Sequence, residues 1–312
     1  MSLRTAANCG LGDLLRASGF RSLAFSPLLL AFGSGSWAPA VKSISNGSAP
    51  ERIVYIVAHQ DDWQLFMGDA AVESLGTGAP AIFVYLTAGD DGRDSVYWLA
   101  RERAALASVR VAAGAASTRG DSADCKPVIV LEHTIRKCAI GNTDSFFLRL
   151  PDGKRNGAGF PRYDNQSMRR LRAKRIAAIT AVDGSATYQD WDDLVSTVSE
   201  LVGVGGLKAQ VHTTDPSIVI NPHDHFDHRI TGLLVAELKK RRGLAVRYYV
   251  GYALSTRAAN RTNAQSREKT EVFLAYDQEM MRSNRSWSAF REHPAFYSAC
   301  MTRTYARTLE IH

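Results

Sequence analysis

The sequence contains little cysteine and no long apolar run, and each absence excludes a class of protein. Its 312 residues include four cysteines and no Cys-x-x-Cys pair, which excludes a disulfide scaffold and the usual structural zinc site. The most apolar N-terminal stretch is interrupted by Pro27 and Gly33 and is too short to span a bilayer comfortably. With 45% apolar and 22% charged residues, the composition is that of a globular domain rather than a disordered or fibrous chain.

Residues 1–40 have the features of a secretory signal peptide. Three arginines precede an uncharged apolar stretch, 22–40, which ends in an Ala-Pro-Ala cleavage site. We therefore expect cleavage after Ala40, export to the periplasm or the medium, and no stable membrane span afterwards. A disordered extension and an uncleaved anchor are the alternatives.

The chain carries a modest excess of positive charge. There are 38 basic and 31 acidic side chains, a net +7, which falls to +5 without residues 1–40 because three arginines and one aspartate leave. Much of the visible clustering is one run, 169–175, for which a solvated helix face is a simpler interpretation than a polyanion site. No nucleic-acid partner is expected.

Short apolar runs alternate with helical patterns along the rest of the chain. Runs rich in valine and isoleucine, as in strands buried on both faces of a parallel sheet, lie at 53–58, 81–86, 128–131 and 218–220. Helical patterns lie at 64–75, 96–113, 191–202 and 230–241. This order predicts one α/β domain over 41–312, a Rossmann-like, doubly wound, mostly parallel sheet in three α/β/α layers. The polar stretch 152–189 is predicted to be an insertion at the functional edge of the sheet.

Two of the cysteines lie close together in the sequence. Cys125 and Cys138 flank a predicted strand and its return segment, so an oxidising compartment would allow them to pair across a hairpin. Two unpaired thiols are the alternative.

The first cluster of residues that could bind a metal or catalyse a reaction is Ala58-His59-Gln60-Asp61-Asp62, directly after the first strand. Open α/β sheets bind their ligands at the carboxyl ends of strands. His59 and Asp62 are three residues apart and would share one face of a helix, while Asp61 would point elsewhere in the same cavity. Two adjacent aspartates after a buried strand are costly to bury without a cation.

The second cluster of such residues runs from Asn221 to Arg229 and contains three of the eight histidines within six residues. Taking His228 from this group together with His59 and Asp62 gives a two-histidine, one-carboxylate set. That set suits one zinc ion with an open position, and other divalent ions also fit. Asp61 and His225 would remain beside the metal as a carboxylate base and an imidazole acid.

Taken together, the two clusters resemble the PIG-L (LmbE-like) family of zinc-dependent N-deacetylases. Members show Ala-His-Pro-Asp-Asp after the first strand and His-x-Asp-His after a later one. Here the matching residues are His59-Gln60-Asp61-Asp62 and His225-Phe226-Asp227-His228. Further matches, within a similarity that spans about 51–282, are Leu86-Thr87-Ala88-Gly89-Asp90-Asp91-Gly92-Arg93, Tyr97-Trp98, Arg101-Glu102, Lys269 and Tyr276-Asp277-Gln278. Gln60 replaces the usual proline, which removes a backbone restraint.

The resemblance implies a reaction and a role for each motif residue. His59, Asp62 and His228 would bind zinc, and Asp61 would take a proton from the metal-bound water. His225 would protonate or stabilise the tetrahedral intermediate, as a cation that favours the developing oxyanion. Asp227 would orient His225. The implied substrate is an N-acylated, usually N-acetylated, amino sugar or glycoconjugate.

Five residues are weaker candidates for substrate contact. Arg93 and Arg101 follow the second strand and could hold a hydroxyl or phosphate, although Arg101 could equally pair with a carboxylate. Tyr97 and Trp98 could form a sugar-stacking wall or belong to the core. His223 could assist an oxyanion or be a loop histidine.

Two other functions also fit parts of the sequence. His223-x-His225-x-Asp227-His228 matches the HxHxDH motif of the metallo-β-lactamase superfamily, which binds two zinc ions in a β-sandwich fold. A secreted protein that binds carbohydrate or polyanion without turnover is the third interpretation. Asp61, which no ligand set requires, favours catalysis over binding.

Overall fold

The computed structural model describes residues 52–114, 123–203, 209–283 and 288–308. The signal peptide over 1–40 lies outside these ranges and stays a prediction. The elements, in chain order, are β1 (Arg52–Val57), α1 (Asp62–Gly76), β2 (Ala81–Thr87), α2 (Ser95–Ala112), β3 (Asp124–Val130), β4 (His133–Ile140), β5 (Thr143–Leu150), α3 (Met168–Arg172), β6 (Ile179–Thr180), β7 (Thr187–Tyr188), α4 (Trp191–Gly203), β8 (Ala209–Thr214), α5 (Phe226–Arg242), β9 (Ala245–Tyr249), α6 (Asn263–Ser283), α7 (Ala289–Glu292), α8 (Pro294–Met301) and β10 (Ala306–Arg307). Short 3-10 turns lie at Pro161–Tyr163 and Tyr252–Thr256.

One eight-stranded sheet organises these elements, in the order β10-β9-β8-β1-β2-β5-β4-β3. The five strands from β9 to β5 are parallel, and β10, β4 and β3 are added antiparallel. The chain passes from β1 to β2 on one side and later returns to β8 on the other side of β1. A crevice therefore opens between the carboxyl ends of β1 and β8, which is where doubly wound sheets bind ligands.

Helices cover both faces of the sheet, as predicted. Along β1, Tyr55 and Val57 face a core that includes residues of α1, α2 and α6, while Val54 and Ile56 face a second core with α4 and α5. All four side chains are fully buried, because successive strand residues point to opposite faces and both faces are covered. The three-layer α/β/α prediction is confirmed.

The predicted helices are also confirmed, with small changes at their ends. The pattern expected at 230–241 begins four residues earlier, at Phe226, because the His225 ring accepts a hydrogen bond from the Asp227 backbone N–H and starts the helix there. The 21-residue α6 was not predicted.

The strand predicted at 218–220 is wrong. The strand before the second histidine cluster is β8, and the apolar run lies in a turn where Ile218 and Val219 are 63% and 84% exposed. The Asp215 side chain accepts the Ser217 backbone N–H in an Asx turn, and Pro216 removes a backbone donor. The ligand cluster consequently starts from a turn rather than from a strand end.

The run at 128–131 forms a strand, but not a doubly buried parallel one. It belongs to β3, the antiparallel edge strand, where Ile129 is 77% exposed. Cys125 and Cys138 lie directly opposite each other in β3 and β4 and are joined by a disulfide.

The polar stretch predicted as an insertion lies between β5 and α4. It contains a 3-10 turn, α3 and the hairpin β6–β7. The guanidiniums of Arg169 and Arg172 lie 4.2 Å from the ring of Phe226 and 5.7 Å from that of Trp191, so part of the basic run packs on aromatic rings. Among the described residues, no helix combines the length and apolarity required to span a membrane.

Candidate metal centre and cavity

The turn after β1 positions two of the predicted metal ligands. The backbone N–H of His59 donates to Asp62 Oδ2 at 2.8 Å, which fixes the carboxylate at the start of α1. Asp61 precedes the helix but its side chain does not cap it. The carboxylate of Asp61 instead pairs with the guanidinium of Arg101.

The first turn of α5 positions the third predicted ligand. His228 is completely buried, and its Nδ1 lies 2.9 Å from Asp224 Oδ1. A proton on Nδ1 donates to this carboxylate, so the Nε2 lone pair is directed away from Asp224. Asp224 is a residue of the candidate site to which the sequence interpretation gave no role, although it lies within the histidine cluster.

The three predicted ligands converge from residues up to 169 positions apart. His59 Nδ1 lies 3.1 Å from His228 Nε2. Asp62 Oδ1 lies 3.0 Å from His228 Nε2 and 3.4 Å from His59 Nδ1. All three side chains are buried. Their ligand atoms form one of two groups within the described residues that could hold a metal ion.

The protonation of this group fits a divalent cation. Burial alone would lower the pKa of His228, but Asp62 and Asp224 raise it to about 10. Burial opposes ionisation of Asp62, yet His228 and His59 hold the pKa of this carboxyl well below its usual range. A cation at the point where the three atoms meet would replace the protons between them. Two imidazole nitrogens and one carboxylate form a donor set that suits zinc and leaves a coordination position open.

The second group of ligand atoms surrounds the other side of His59. His59 Nε2 is buried, 3.5 Å from Asp152 Oδ2 and 3.6 Å from Asp227 Oδ2. Carboxylates placed there favour a proton on Nε2 and leave Nδ1 unprotonated for a metal, the usual arrangement of a metal-binding histidine. The first group is therefore the better candidate for a metal ion, and Asp152 and Asp227 are positioned to orient His59.

Asp227 contacts His225 differently from the predicted arrangement. Its carboxylate accepts the Gly153 backbone N–H at 2.7 Å and lies 3.8 Å from His225 Nδ1. The backbone N–H of Asp227, and not its carboxylate, donates to His225 Nδ1 at 3.2 Å. A neutral His225 ring therefore carries its proton on Nε2.

The predicted positive charge on His225 is not supported. Burial, together with the nearby His59, lowers the pKa of His225 to about 3. At neutral pH the ring is uncharged and has one N–H donor, at Nε2. It can donate a hydrogen bond to an oxyanion but does not stabilise one as a cation.

Arg101 contacts protein groups rather than the cavity. It is 7% exposed, and its Nε donates to the Tyr276 hydroxyl and one terminal nitrogen to the Gly89 carbonyl, each at 2.9 Å. Its other terminal nitrogen pairs with Asp61 Oδ1. Of its two predicted roles, the structure shows the carboxylate pairing.

Among the remaining substrate candidates, only His223 lines the cavity beside the metal centre. Tyr97 and Trp98 are 6% and 4% exposed, so they belong to the interior rather than to a sugar-stacking wall. Arg93 is half-exposed, with its guanidinium 4.4 Å from the Tyr97 ring centroid and 3.5 Å from Asp91.

The cavity has a volume of about 580 Å³. Asp61, Asp62 and Leu65 line it on the side of the metal centre. Tyr252, Phe296 and Tyr297, called the aromatic wall below, also line it, together with Arg155, Pro222, His223, Ala253, Ser255, Thr256 and His293. The aromatic wall has no motif by which the sequence interpretation could have found it, because its residues come from separate elements near the C-terminus.

Fold and site together define a three-layer α/β protein with a histidine–carboxylate group that could hold a metal ion at the switch point of its sheet. The family model PIG-L, described as GlcNAc-PI de-N-acetylase, matches residues 54–239. This is more than half of the 312 residues, and the chain belongs to this family.

Several solved structures are similar to this chain at low identity. The zinc-inhibited form of the teicoplanin deacetylase Orf2 is 10% identical with a TM-score of 0.43, over 78% of this chain and 93% of that chain. N,N'-diacetylchitobiose deacetylase from Pyrococcus horikoshii is 14% identical with a TM-score of 0.45, over 83% and 84%. GalB, the 4-carboxy-2-hydroxymuconate hydratase from Pseudomonas putida, is 13% identical with a TM-score of 0.40, over 80% and 82%. No curated protein matches this chain.

The metallo-β-lactamase interpretation is wrong. Its fold is a β-sandwich, whereas helices cover both faces of one mainly parallel sheet here. His223 belongs to neither group of metal-ligand atoms within the described residues.

Proposed function

We propose that the protein is a metal-dependent N-deacetylase that removes an N-acyl group, usually acetyl, from an amino sugar or glycoconjugate. The observation that carries the proposal is the meeting of His59 Nδ1, Asp62 Oδ1 and His228 Nε2 within 3.4 Å, beside a carboxylate, Asp61, that no ligand set requires. The metal proposed is zinc, one per chain, although other divalent ions suit the same donors.

His59, Asp62 and His228 would hold the ion. When bound, it would polarise the amide carbonyl and make a water molecule a stronger nucleophile. The protein supplies the proton transfers and the orientation of the substrate.

Asp61 is the proposed general base. Arg101 binds Oδ1 of this carboxylate, and Oδ2 is the oxygen to which we assign the proton. Because Arg101 is itself fixed by Gly89 and Tyr276, the carboxylate is held in one orientation beside the cavity. It would take the proton from the attacking water and return it to the leaving amine.

His225 is the proposed oxyanion donor. With Nδ1 occupied by the Asp227 backbone N–H, its proton lies on Nε2, 3.6 Å from Asp152 Oδ1, and we assign this proton to a hydrogen bond with the oxygen of the tetrahedral intermediate. A preorganised neutral donor stabilises that oxygen without a proton transfer.

A carbohydrate-binding protein without turnover is the second candidate. It would need no base, whereas Asp61 is held by a buried arginine that has three defined partners. That arrangement supports hydrolysis over binding.

Acetate release from a panel of N-acetylated sugars and glycoconjugates, with and without chelator, tests the proposal. We expect release that is lost on chelation and restored by zinc. Release that is insensitive to metal removal would contradict the metal role. Binding of the sugars without release would favour the second candidate.

Export is part of the proposal. It is supported by the signal-like sequence of residues 1–40 and by the Cys125–Cys138 disulfide, since such bonds persist mainly in oxidising compartments. Fractionation of expressing cells, with N-terminal sequencing, tests it. A mature chain that starts after Ala40 outside the cytoplasm is expected, and an intact cytoplasmic chain would contradict it.

A further inference from the structure

The cavity beside the metal centre is larger than an acetyl group requires. Its volume of about 580 Å³ lies within the range of roughly 300–1,000 Å³ typical of pockets that enclose most of a drug-sized ligand. Asp62 is the one proposed metal ligand among its lining residues, next to Asp61, so most of this space would receive another part of a substrate.

The aromatic wall lines part of the remaining surface, next to Pro222 and Ala253, and the polar residues Arg155, His223, Ser255, Thr256 and His293 line the rest. The Tyr252 and Phe296 rings are 5.6 Å apart at 90°, and the Phe296 and Tyr297 rings are 5.1 Å apart at 83°. These edge-to-face contacts hold the rings in place. Each of the three residues is only partly buried by the protein, so part of its surface remains for a ligand, and the Arg155 guanidinium lies 5.9 Å from the Tyr252 ring centroid.

The aromatic wall is continuous with the metal centre. The Tyr252 ring packs edge-on against the ring of the proposed ligand His228 at 5.0 Å. Asp224 Oδ1 accepts the Tyr252 backbone N–H at 3.4 Å as well as the Nδ1 proton of His228. A Cβ at Gly251 would lie 2.2 Å from Asp224 Oδ2, so only glycine allows this close approach. A group attached to a reacting amide would therefore meet the wall directly.

The wall is also separate from the part of the chain that carries the family match. That match ends at residue 239, whereas the wall comes from the 3-10 turn at Tyr252–Thr256 and from α8. The reacting groups belong to the matched part, and the surface beside them comes from the C-terminal part of this chain.

We propose that the cavity is a subsite for an apolar extension of the amide substrate, either an acyl chain longer than acetyl or an apolar aglycone. The inference rests on the proposed deacetylase function and specifies its substrate class. Uncharged aromatic faces favour alkyl and aryl groups, because burying each methylene improves binding about fourfold.

Two substrate series test the subsite with the zinc-loaded protein. One series lengthens the acyl group of glucosamine from acetyl to butanoyl and hexanoyl. The other changes the β-aglycone of N-acetylglucosamine from methyl to phenyl and octyl. We expect kcat/KM, measured as amine release, to rise at least about tenfold along one series, and the series that rises identifies the source of the extension. Hydrolysis without a rise in either series would overturn the subsite.

A direct binding measurement separates failure of the subsite from failure of the proposed function. If no compound is hydrolysed, the deacetylase proposal fails. Calorimetric binding of the same compounds still tests the cavity: the octyl or hexanoyl compound must bind at least about tenfold more tightly than N-acetylglucosamine, and equal binding would overturn the subsite.

Variants of the wall provide the matched comparison. Phe296→Ala should lower the ratio of kcat/KM for the extended substrate to that for N-acetylglucosamine about tenfold, and Phe296→Leu should retain most of it. Trp191→Ala is the control, since this ring packs against the guanidinium of Arg172 at 5.7 Å and does not line the cavity. An unchanged ratio in Phe296→Ala, or an equal fall in Trp191→Ala, would overturn the assignment.

Discussion

The cavity has two unlike walls. The polar wall consists of Asp61 and Asp62, which line the cavity, and of the buried His59 and His228, which contact Asp62 but do not line it. The four residues come from two short motifs. Each side chain has a defined partner: another ligand, Asp224 or Arg101. The aromatic wall comes from a 3-10 turn and α8, its rings are half-buried, and it touches the polar wall through Tyr252.

The difference follows from what each wall would do. Metal binding and proton transfer depend on atoms held to within fractions of an ångström, so the polar wall needs buried residues with fixed hydrogen bonds. Recognition of an apolar group depends mainly on the area removed from water, which several arrangements of rings can supply. Substitutions in the polar wall should therefore abolish turnover, whereas those in the aromatic wall should change substrate preference.

The largest effect is expected from removing a metal ligand. His228→Ala should lose bound zinc and reduce kcat/KM on the order of 10³-fold, because about 4 kcal/mol of transition-state stabilisation leaves with the ion. Metal analysis measures the loss of zinc, and acetate release measures the change in kcat/KM. His223→Ala is the control and should keep its zinc; equal zinc loss in the two variants would contradict the ligand assignment.

Asp61→Asn should leave the metal in place but remove the base. We expect zinc content near one per chain and kcat reduced about 10²-fold, within the usual contribution of a general base. Full activity in this variant would contradict the assignment of Asp61 as the general base.

Asp224 should have an intermediate effect, since it orients a ligand without being one. Asp224→Asn is expected to weaken zinc binding about 10- to 100-fold, measured by competition with a fluorescent chelator. Asp192→Asn, at an exposed helix position, is the matched control. Unchanged affinity in Asp224→Asn would show that the 2.9 Å contact with His228 does not support the centre.

Metal binding should release protons near neutral pH. Without a metal, the pKa of His228 is about 10 because Asp62 and Asp224 outweigh burial, so the ion must displace a proton there. Apparent zinc affinity should rise with pH until this pKa is reached, about tenfold per unit for each proton displaced. Titration calorimetry in buffers of different ionisation enthalpy measures the release. Heats that do not depend on the buffer would contradict it.

The smallest effect on catalysis is expected at the edge of the sheet. Replacing Cys125 and Cys138 with serine should lower the free energy of unfolding by about 3 kcal/mol, because the disulfide restrains the unfolded chain between two residues 13 positions apart. Denaturant unfolding measures this change, and kcat/KM should stay the same. A large loss of kcat/KM at a temperature where the variant is still folded would show that the β3–β4 hairpin supports the cavity.

The chemistry-bearing residues were predictable because the signals that mark them are local. His59 and Asp62 follow an apolar strand within five residues, and three histidines lie close together around the start of α5. The strand before that second cluster was not predictable, because β8 carries Gln210, His212 and two threonines. The run at 218–220 is more apolar, so the strand was predicted there instead. Only its burial between β1 and β9 makes the more polar segment the strand.

By itself, the sequence determined the α/β class, the family and the identity of the metal-binding and catalytic candidates, since these depend on periodicity and on residue types a few positions apart. The tertiary structure decided which atoms face each other. It directs His59 Nδ1 and His228 Nε2 toward Asp62, and it pairs Arg101 with Asp61. It also places Phe296 of α8 against Tyr252 beside the metal centre. These contacts join residues far apart in the chain, so they arise from the strand order at the switch point and from helix packing, which no local pattern specifies.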